Sequence, residues 1–175
     1  GNNYFWVTLD VAGDAAAETL LDAQLVSIAD EALAITPVEH GDPEGGRVVK
    51  YIVNMETGNK VVTVNNPLMF YDDGGANGPT KKGFEGVITF VPGKPGYAVE
   101  LATKSFSTGQ GKFYLYKGSE VNDDNLIDTY SYNKGPGSVI SKAADGAFTV
   151  RYTGPTSTYS DYDGFAIEVK LHELV

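Results

Sequence analysis

The chain has 175 residues, of which 42% are hydrophobic, and its formal net charge at pH 7 is −10. This length and apolar content suffice for one full domain and a smaller one. The acidic balance argues against a nucleic-acid partner, because phosphate binding needs clustered Lys and Arg side chains.

The composition also narrows the fold and the chemistry. The 21 glycines and 11 tyrosines favour many short strands joined by tight reversals, which predicts an all-β fold. There is no cysteine, so disulfides, thiolate metal sites and thiol nucleophiles are excluded. No apolar run approaches the roughly 20 residues that a membrane-spanning helix needs, so membrane insertion is not expected.

Charge divides the chain into two parts. Residues 1–57 contain ten acids against two bases, whereas residues 58–175 contain thirteen acids against eleven bases. Such an asymmetry suggests two units. We therefore predict a first unit over 1–57 and a second over 58–175, with the junction at Gly58 and Asn59.

The first unit begins with a period-two strand, in which Phe5, Val7 and Leu9 alternate with Trp6 and Thr8. Residues 14–30 are ambiguous. An N-capped helical stripe and an alternating strand both fit them, and local propensity slightly favours the helix.

A resemblance favours the strand. The run Asn3-Tyr4-Phe5-Trp6-Val7, the segment Leu21-Asp22-Ala23, Ile28 and Gly46-Arg47 resemble the later half of the N-terminal domain of BNR-repeat sialidases. That domain is a β-sandwich, so the resemblance implies a partial β-sandwich element over residues 1–47 and a strand over 22–29. The family's earlier strands are absent from this chain.

The second unit carries regularly spaced strand patterns separated by Gly, Pro, Asn and Asp. Even spacing of many short strands is typical of a sandwich or jelly roll. The predicted strands are 60–65, 84–91, 97–106, 112–117, 126–131, 138–141, 146–152 and 163–172.

The order of motifs in residues 67–172 resembles the CUB family of extracellular β-sandwich modules. This resemblance implies a CUB-like antiparallel β-sandwich (jelly roll) that binds partners rather than catalyses. The segments that carry it are Tyr71-Asp72 before two glycines, Thr89–Pro92, Val99–Leu101 with Phe106, Phe113–Gly118, Leu126–Tyr130, Gly135-Pro136 leading to Ser141, Gly146–Val150 and Gly164–Ala166.

Many CUB modules hold calcium through acids on three loops, and oxygen ligands suit that cation. Here Gly111 or Lys112 stands at one of those positions, and 104–110 supply no acid for another. Asp161 and Asp163 alone match the third position. We therefore predict no cofactor, with calcium at Asp161 and Asp163 as the less favoured alternative to acids that cap turns.

Asp72 and Asp73 precede Gly74 and Gly75, and two interpretations fit this pattern. The carboxylates could hold a cation or polar ligand beside a sharp turn. Alternatively, an Asx-type turn forms, in which a carboxylate bonds the backbone N–H groups ahead and a glycine takes positive φ. The second interpretation is favoured.

Enzyme signatures are lacking, and we predict no catalytic residue. His40 and His172 are the two histidines, and neither belongs to a Gly-x-Ser-x-Gly or His-Glu-x-x-His motif. With 23 acids in the chain, accidental carboxylate pairs are expected, so they do not indicate a glycosidase.

Tyrosines are the stronger candidates for ligand contact. Tyr152, Tyr159 and Tyr162 flank a loop of small polar residues, and Tyr71 and Tyr97 are expected nearby if the sheet ends converge. Tyrosines in such a setting stack on sugars or anchor proteins. The alternative is half-buried packing of Tyr152 and Tyr162 at the sandwich edge.

The sequence therefore predicts a non-catalytic extracellular or cell-surface binding and adhesion module of an exported bacterial protein. Its end loops would recognise a glycan or a protein through Tyr71, Asp72, Asp73, Tyr152, Tyr159 and Tyr162. The alternatives are an accessory domain of a larger secreted sialidase or peptidase, and a structural spacer. The oligomeric state stays open, because an unpaired strand edge would also permit a dimer.

Overall fold

A computed structural model describes residues 20–21, 27–29, 35–37, 47–48, 51–157 and 162–174. The chain divides into two compact units, Gly1–Lys50 and Tyr51–Val175. No helix in the described part of the chain is long and apolar enough to cross a bilayer.

The described residues of the first unit form two short antiparallel pairs. Strand β1 (Leu20–Leu21) pairs with β4 (Arg47–Val48), and β2 (Ser27–Ala29) pairs with β3 (Ile35–Pro37). The strand predicted over 22–29 is therefore confirmed at 27–29. Residues 22–26, and the strand predicted around Phe5 to Leu9, lie outside the described residues.

The described residues of the second unit, 51–157 and 162–174, form ten strands, and eight of these match the predicted ones to within a few residues. The first and third of the ten lie in segments for which the sequence predicted no strand. The strands are β5 (Tyr51–Asn54), β6 (Gly58–Val64), β7 (Leu68–Tyr71), β8 (Glu85–Pro92), β9 (Tyr97–Ser107), β10 (Lys112–Lys117), β11 (Leu126–Tyr130), β12 (Ser138–Ile140), β13 (Phe148–Thr153) and β14 (Gly164–Glu173).

Two five-stranded sheets face each other and form the sandwich. Their strand orders are β11-β10-β13-β8-β6 and β12-β9-β14-β7-β5. Most neighbours are antiparallel, as expected, but β5 pairs with β7 and β6 pairs with β8 in parallel. These parallel pairs arise because the chain alternates between the sheets from β5 to β8, so every second strand runs in the same direction.

Strand β5 also explains where the two units separate. It pairs with β7 through the register Tyr51↔Leu68 to Asn54↔Tyr71, so residues 51–54 belong to the sandwich. The division accordingly falls between Lys50 and Tyr51 rather than at Gly58.

The core lies between the sheets and is rich in aromatic rings. Along β13, Phe148, Val150 and Tyr152 point inward with almost no exposure. Phe165 at the start of β14 is central, because the centroid of its ring lies 5.0–5.2 Å from the ring centroids of Phe70, Phe113 and Tyr152. Burying each such side chain contributes about 1.5–3 kcal/mol to the stability of the fold.

Candidate functional site

Four connections meet at one end of the sandwich, which we call the loop end: 72–84, 108–111, 131–137 and the described residues 154–157 and 162–163 of the last connection. The first and last connections are joined by backbone hydrogen bonds. Thr80 N–H donates to the Tyr162 carbonyl (3.1 Å), Gly83 N–H donates to Pro155 (3.0 Å) and Gly154 N–H donates to Phe84 (2.8 Å). Residues 80–84 therefore lie beside residues 154, 155 and 162. Recognition of a ligand by the loops around 71–78 and 153–163 stays a prediction.

Asp72 follows β7 directly and is fully buried, with 0% exposure. Its Oδ1 accepts the Gly74 N–H at 2.9 Å, and its carbonyl accepts the Gly75 N–H at 3.2 Å. Gly75 has φ +71°, a conformation in which a β-carbon would be strained. This geometry is the Asx-type turn that the Asp-Asp-Gly-Gly pattern favoured.

The other carboxylate oxygen of Asp72 is unusual. Oδ2 has no hydrogen-bond partner in the described structure, and it lies against the backbone of Gly164, where a β-carbon would overlap it. Burial raises the pKa of Asp72 to about 7, although the Gly74 N–H opposes this shift; the nearby charge of Asp73 adds to it.

Asp73 belongs to a buried chain of polar groups. Its Oδ1 accepts the Thr80 hydroxyl at 2.9 Å, and its Oδ2 accepts the Lys81 N–H at 3.0 Å. The Thr80 hydroxyl in turn lies 2.9 Å from the Tyr152 hydroxyl. Because Thr80 donates to the carboxylate, it accepts from Tyr152. Burial raises the pKa of Tyr152, so its phenol stays protonated and able to donate.

These hydrogen bonds change the roles expected for two candidate residues, Tyr152 and Asp73. Tyr152 is fully buried, so its ring cannot stack on a ligand, contrary to the ligand-binding role predicted for it. The carboxylate oxygens of Asp73 are occupied by Thr80 and Lys81, and its side chain is 2% exposed. The side chains of both residues instead make hydrogen bonds within the loop end.

The remaining candidates differ in exposure. Tyr71 and Tyr162 are half-buried and Asp163 is exposed, whereas Tyr159 and Asp161 lie outside the described residues. The Tyr162 ring covers Gly109, where a β-carbon would overlap it. Tyr97 does not join this group, because it begins β9 at the opposite end, beside Lys94.

Tyr132 is a loop-end residue that the sequence analysis missed. It is 59% exposed and has φ +56°, which is uncommon for a bulky residue. Its N–H donates to the Gly109 carbonyl and its carbonyl accepts the Thr108 N–H, both at 2.9 Å. The aromatic residue beside Asn133 was the available signal for an exposed ring in a turn.

The described residues contain no group of three or more His, Cys, Asp and Glu side chains arranged to hold a metal ion. Among the described acids of the loop end, Asp73 is already hydrogen-bonded, which leaves Asp72 Oδ2 and the exposed Asp163 as free oxygen ligands. Two such ligands do not make a calcium site. The calcium alternative at Asp161 and Asp163 stays a prediction, since Asp161 is not described.

His172 lies on the outer face of the second sheet rather than in a cleft. Its Nδ1 is 3.3 Å from Glu100 Oε2, and Lys170 Nζ is 3.3 Å from Glu100 Oε1. The Ser138 hydroxyl donates to Glu100 Oε1 at 3.3 Å, so this hydroxyl bonds to the acid of the pair and not to His172. Its arrangement is that of a surface charge network.

Known proteins resemble this chain in structure but not in sequence. No protein-family model and no curated protein sequence matches it. The CUB1-EGF-CUB2 domains of rat MASP-1 match with a TM-score of 0.53 and 14% identity over 66% of this chain, and those of human MASP-1/3 with 0.51 and 10% over 91%. The calcium-bound CUB2 domain of MASP-1 matches with 0.48 and 14% over 65% of this chain and 98% of that domain.

These likenesses show a CUB-like β-sandwich fold, as the motif order in residues 67–172 implied. The chain spans 44% of the rat structure and 54% of the human one. At 10–14% identity the likeness concerns the fold alone. The sialidase-like interpretation of residues 1–47 stays a prediction.

Proposed function

We propose that this protein is a non-catalytic, extracellular partner-binding module whose contact surface is the loop end. Tyr132 and Tyr162 are its aromatic contacts, and Asp163 and Lys134 supply exposed polar groups beside them. The observation that carries the proposal is the backbone of Tyr132, which is held in a strained conformation that turns its ring toward solvent.

The backbone conformation of Tyr132 is energetically unfavourable. A left-handed backbone costs a residue with a β-carbon about 1–2 kcal/mol, and the first central position of a tight turn normally takes Gly, Asn or Asp. Tyr132 occupies that position in a turn that Lys134 N–H closes on the Ser131 carbonyl at 3.2 Å. The exposed ring recovers little of this cost by burial, which favours a role in binding.

Both tyrosines contact the 108–111 turn. Tyr162 packs on Gly109, and Tyr132 bonds to the Gly109 carbonyl. Fixed backbone positions reduce the entropy that is lost on binding. Flat rings with a polar tip suit both a sugar face and a protein surface, so the ligand is a glycan or a protein.

The test uses the full chain on a glycan microarray and on an array of extracellular protein domains. Hits are then measured with Tyr132→Ala, Tyr162→Ala and the matched control Tyr97→Ala, whose tyrosine is half-buried at the opposite end. We expect each loop-end variant to lose at least tenfold in affinity, and the control to lose less than twofold. Absence of any hit, or equal losses in all three variants, would contradict the proposal.

The accessory-domain alternative stays a prediction as well. A module attached to a secreted sialidase or peptidase would use the same surface, so the array result does not separate the two. The full reading frame of the gene would decide between them by showing whether a catalytic domain accompanies these residues.

A further inference from the structure

Asp72 is enclosed by three parts of the loop end. Its own turn, 72–75, supplies the Gly74 N–H. The start of β14 presents the backbone of Gly164 directly against Oδ2, and the Phe165 N–H also faces the carboxylate. The Tyr152 hydroxyl from β13, which is bonded to Thr80, lies close enough for the charge of Asp72 to raise the pKa of Tyr152.

The charged and titratable groups around Asp72 do not neutralise it. Asp73 follows it in the chain and adds a negative charge. Lys81 Nζ lies 3.9 Å from Asp73 Oδ2 and is largely exposed, so its charge is directed to Asp73 and to water. Tyr152 is a neutral phenol, and the exposed Asp163 beside Gly164 is a further acid. Asp72 Oδ2 therefore has no cation beside it and no hydrogen bond in the described structure. The Phe165 N–H that faces the carboxylate opposes the rise in its pKa only in part.

We propose that Asp72 is a proton-operated switch that controls how tightly residues 162–164 pack on the rest of the loop end. With a proton bound, the neutral carboxyl tolerates the dry contact with Gly164. When the proton is lost, the negative charge at Asp72 Oδ2 must be solvated, and water enters when residues 162–164 move away from the carboxylate. The contact that loosens with them is the hydrogen bond from Thr80 N–H to the Tyr162 carbonyl.

The direction of the pH dependence follows from linkage. Folding raises the pKa of Asp72 from 3.8 to about 7, so the folded state binds the proton more tightly than the unfolded chain does. This stabilisation is fully present below about pH 3.8, declines as the pH rises, and is lost above about pH 7. The switch therefore operates near neutral pH, independently of whether the loop end binds a ligand.

The first experiment measures the wild-type full chain. Carbon-13 NMR follows the Asp72 carboxyl carbon from pH 4 to 9, while hydrogen exchange gives the protection factor of the Thr80 amide. The matched control is the Gly118 amide, which donates to Ala147 at 2.9 Å at the opposite end of the sandwich. We expect an Asp72 midpoint within about one unit of 7, and Thr80 protection that falls at least tenfold from pH 6 to 8 while that of Gly118 stays within twofold.

The second experiment compares Asp72→Asn with wild type by urea unfolding at several pH values. The ratio of the wild-type to the variant folding constant should fall by up to about tenfold per pH unit between pH 4 and 7. Any of three results would overturn the proposal. The first is an Asp72 titration midpoint below pH 5, and the second is an equal loss of protection at Thr80 and Gly118. The third is a ratio of the two folding constants that stays within twofold over this pH range. If Asp72→Asn does not fold, the wild-type titration and exchange data still decide.

Discussion

Asp72 and Asp145 occupy similar turns at opposite ends of the sandwich, yet their environments differ sharply. Each carboxylate accepts the backbone N–H two residues ahead, that of Gly74 at 2.9 Å and that of Ala147 at 3.0 Å. The second oxygen of Asp145 also accepts the Ser119 hydroxyl at 2.6 Å, whereas that of Asp72 has no partner.

The pKa values follow this difference. At Asp145 partial burial raises the pKa, but hydrogen bonds from Ser119 and Ala147 outweigh it and bring the pKa below its ordinary value. At Asp72 burial dominates and the pKa rises to about 7. One local motif therefore gives a stabilising charged cap at one end and an unstable buried charge at the other, depending on what the rest of the fold places against the second oxygen.

The largest effect is expected for Gly164→Ala at the Asp72 end. The new β-carbon would overlap the Asp72 carboxylate, and Gly164 has φ +75°. We expect a loss of about 3–5 kcal/mol in the free energy of unfolding, measured with urea. Gly137→Ala is the matched control, since Gly137 has φ +71° but open space around it. It should lose only about 1 kcal/mol, and equal losses would mean that the Asp72 contact is not tight.

A smaller effect is expected when the hydrogen bond between Tyr152 and Thr80 at the same end is removed. Tyr152→Phe removes the hydroxyl that donates to Thr80 but keeps the buried ring. The free energy of unfolding should fall by about 1–1.5 kcal/mol, because a buried hydrogen bond is lost. The control is Tyr114→Phe, on the outer face of the same sheet, where a change below about 0.5 kcal/mol is expected. Equal changes in both variants would show that the Tyr152–Thr80 bond adds no stability.

Asp145→Asn tests the other end and should show the opposite pH dependence. Because the pKa of Asp145 is lowered on folding, its stabilisation is present above its ordinary pKa and is lost as the pH falls through the folded value. At pH 7 we expect a loss of about 0.5–1 kcal/mol, limited by solvent screening. Urea unfolding at pH 7 and pH 3 should show the difference from wild type shrinking at the lower pH; a difference that grows would contradict the comparison.

Much of the sandwich could be predicted because its signals are local. Phe148, Val150 and Tyr152 alternate with polar neighbours, and Gly and Pro separate the strands. The same alternation indicated that Tyr152 points inward, so its burial could have been inferred. Strands β5 and β7 were not predicted. The parallel pairing of β5 with β7 and of β6 with β8 could not be predicted either, because it depends on crossovers between the sheets, which no local pattern encodes.

The candidate site was predictable to a smaller extent, for the same physical reason. The Asp-Asp-Gly-Gly pattern predicted the turn at Asp72, since an Asx turn needs only neighbouring residues. The burial of its second oxygen depends on Gly164, which is distant in the sequence. The strain at Tyr132 likewise comes from hydrogen bonds to the distant 108–111 turn.

The smallest expected effect concerns Tyr132, where a gain in stability should accompany the loss of function. Asn tolerates a left-handed backbone better than Tyr does, so Tyr132→Asn should relieve part of the strain while keeping both hydrogen bonds to the 108–111 turn. We expect the free energy of unfolding to rise by about 0.5 kcal/mol in urea, with ligand affinity reduced as in Tyr132→Ala. Tyr132→Val, whose branched β-carbon fits φ +56° poorly, should instead lose stability. If Asn and Val had the same effect, the backbone at position 132 would not be strained, and the exposure of the Tyr132 ring would no longer favour a role in binding.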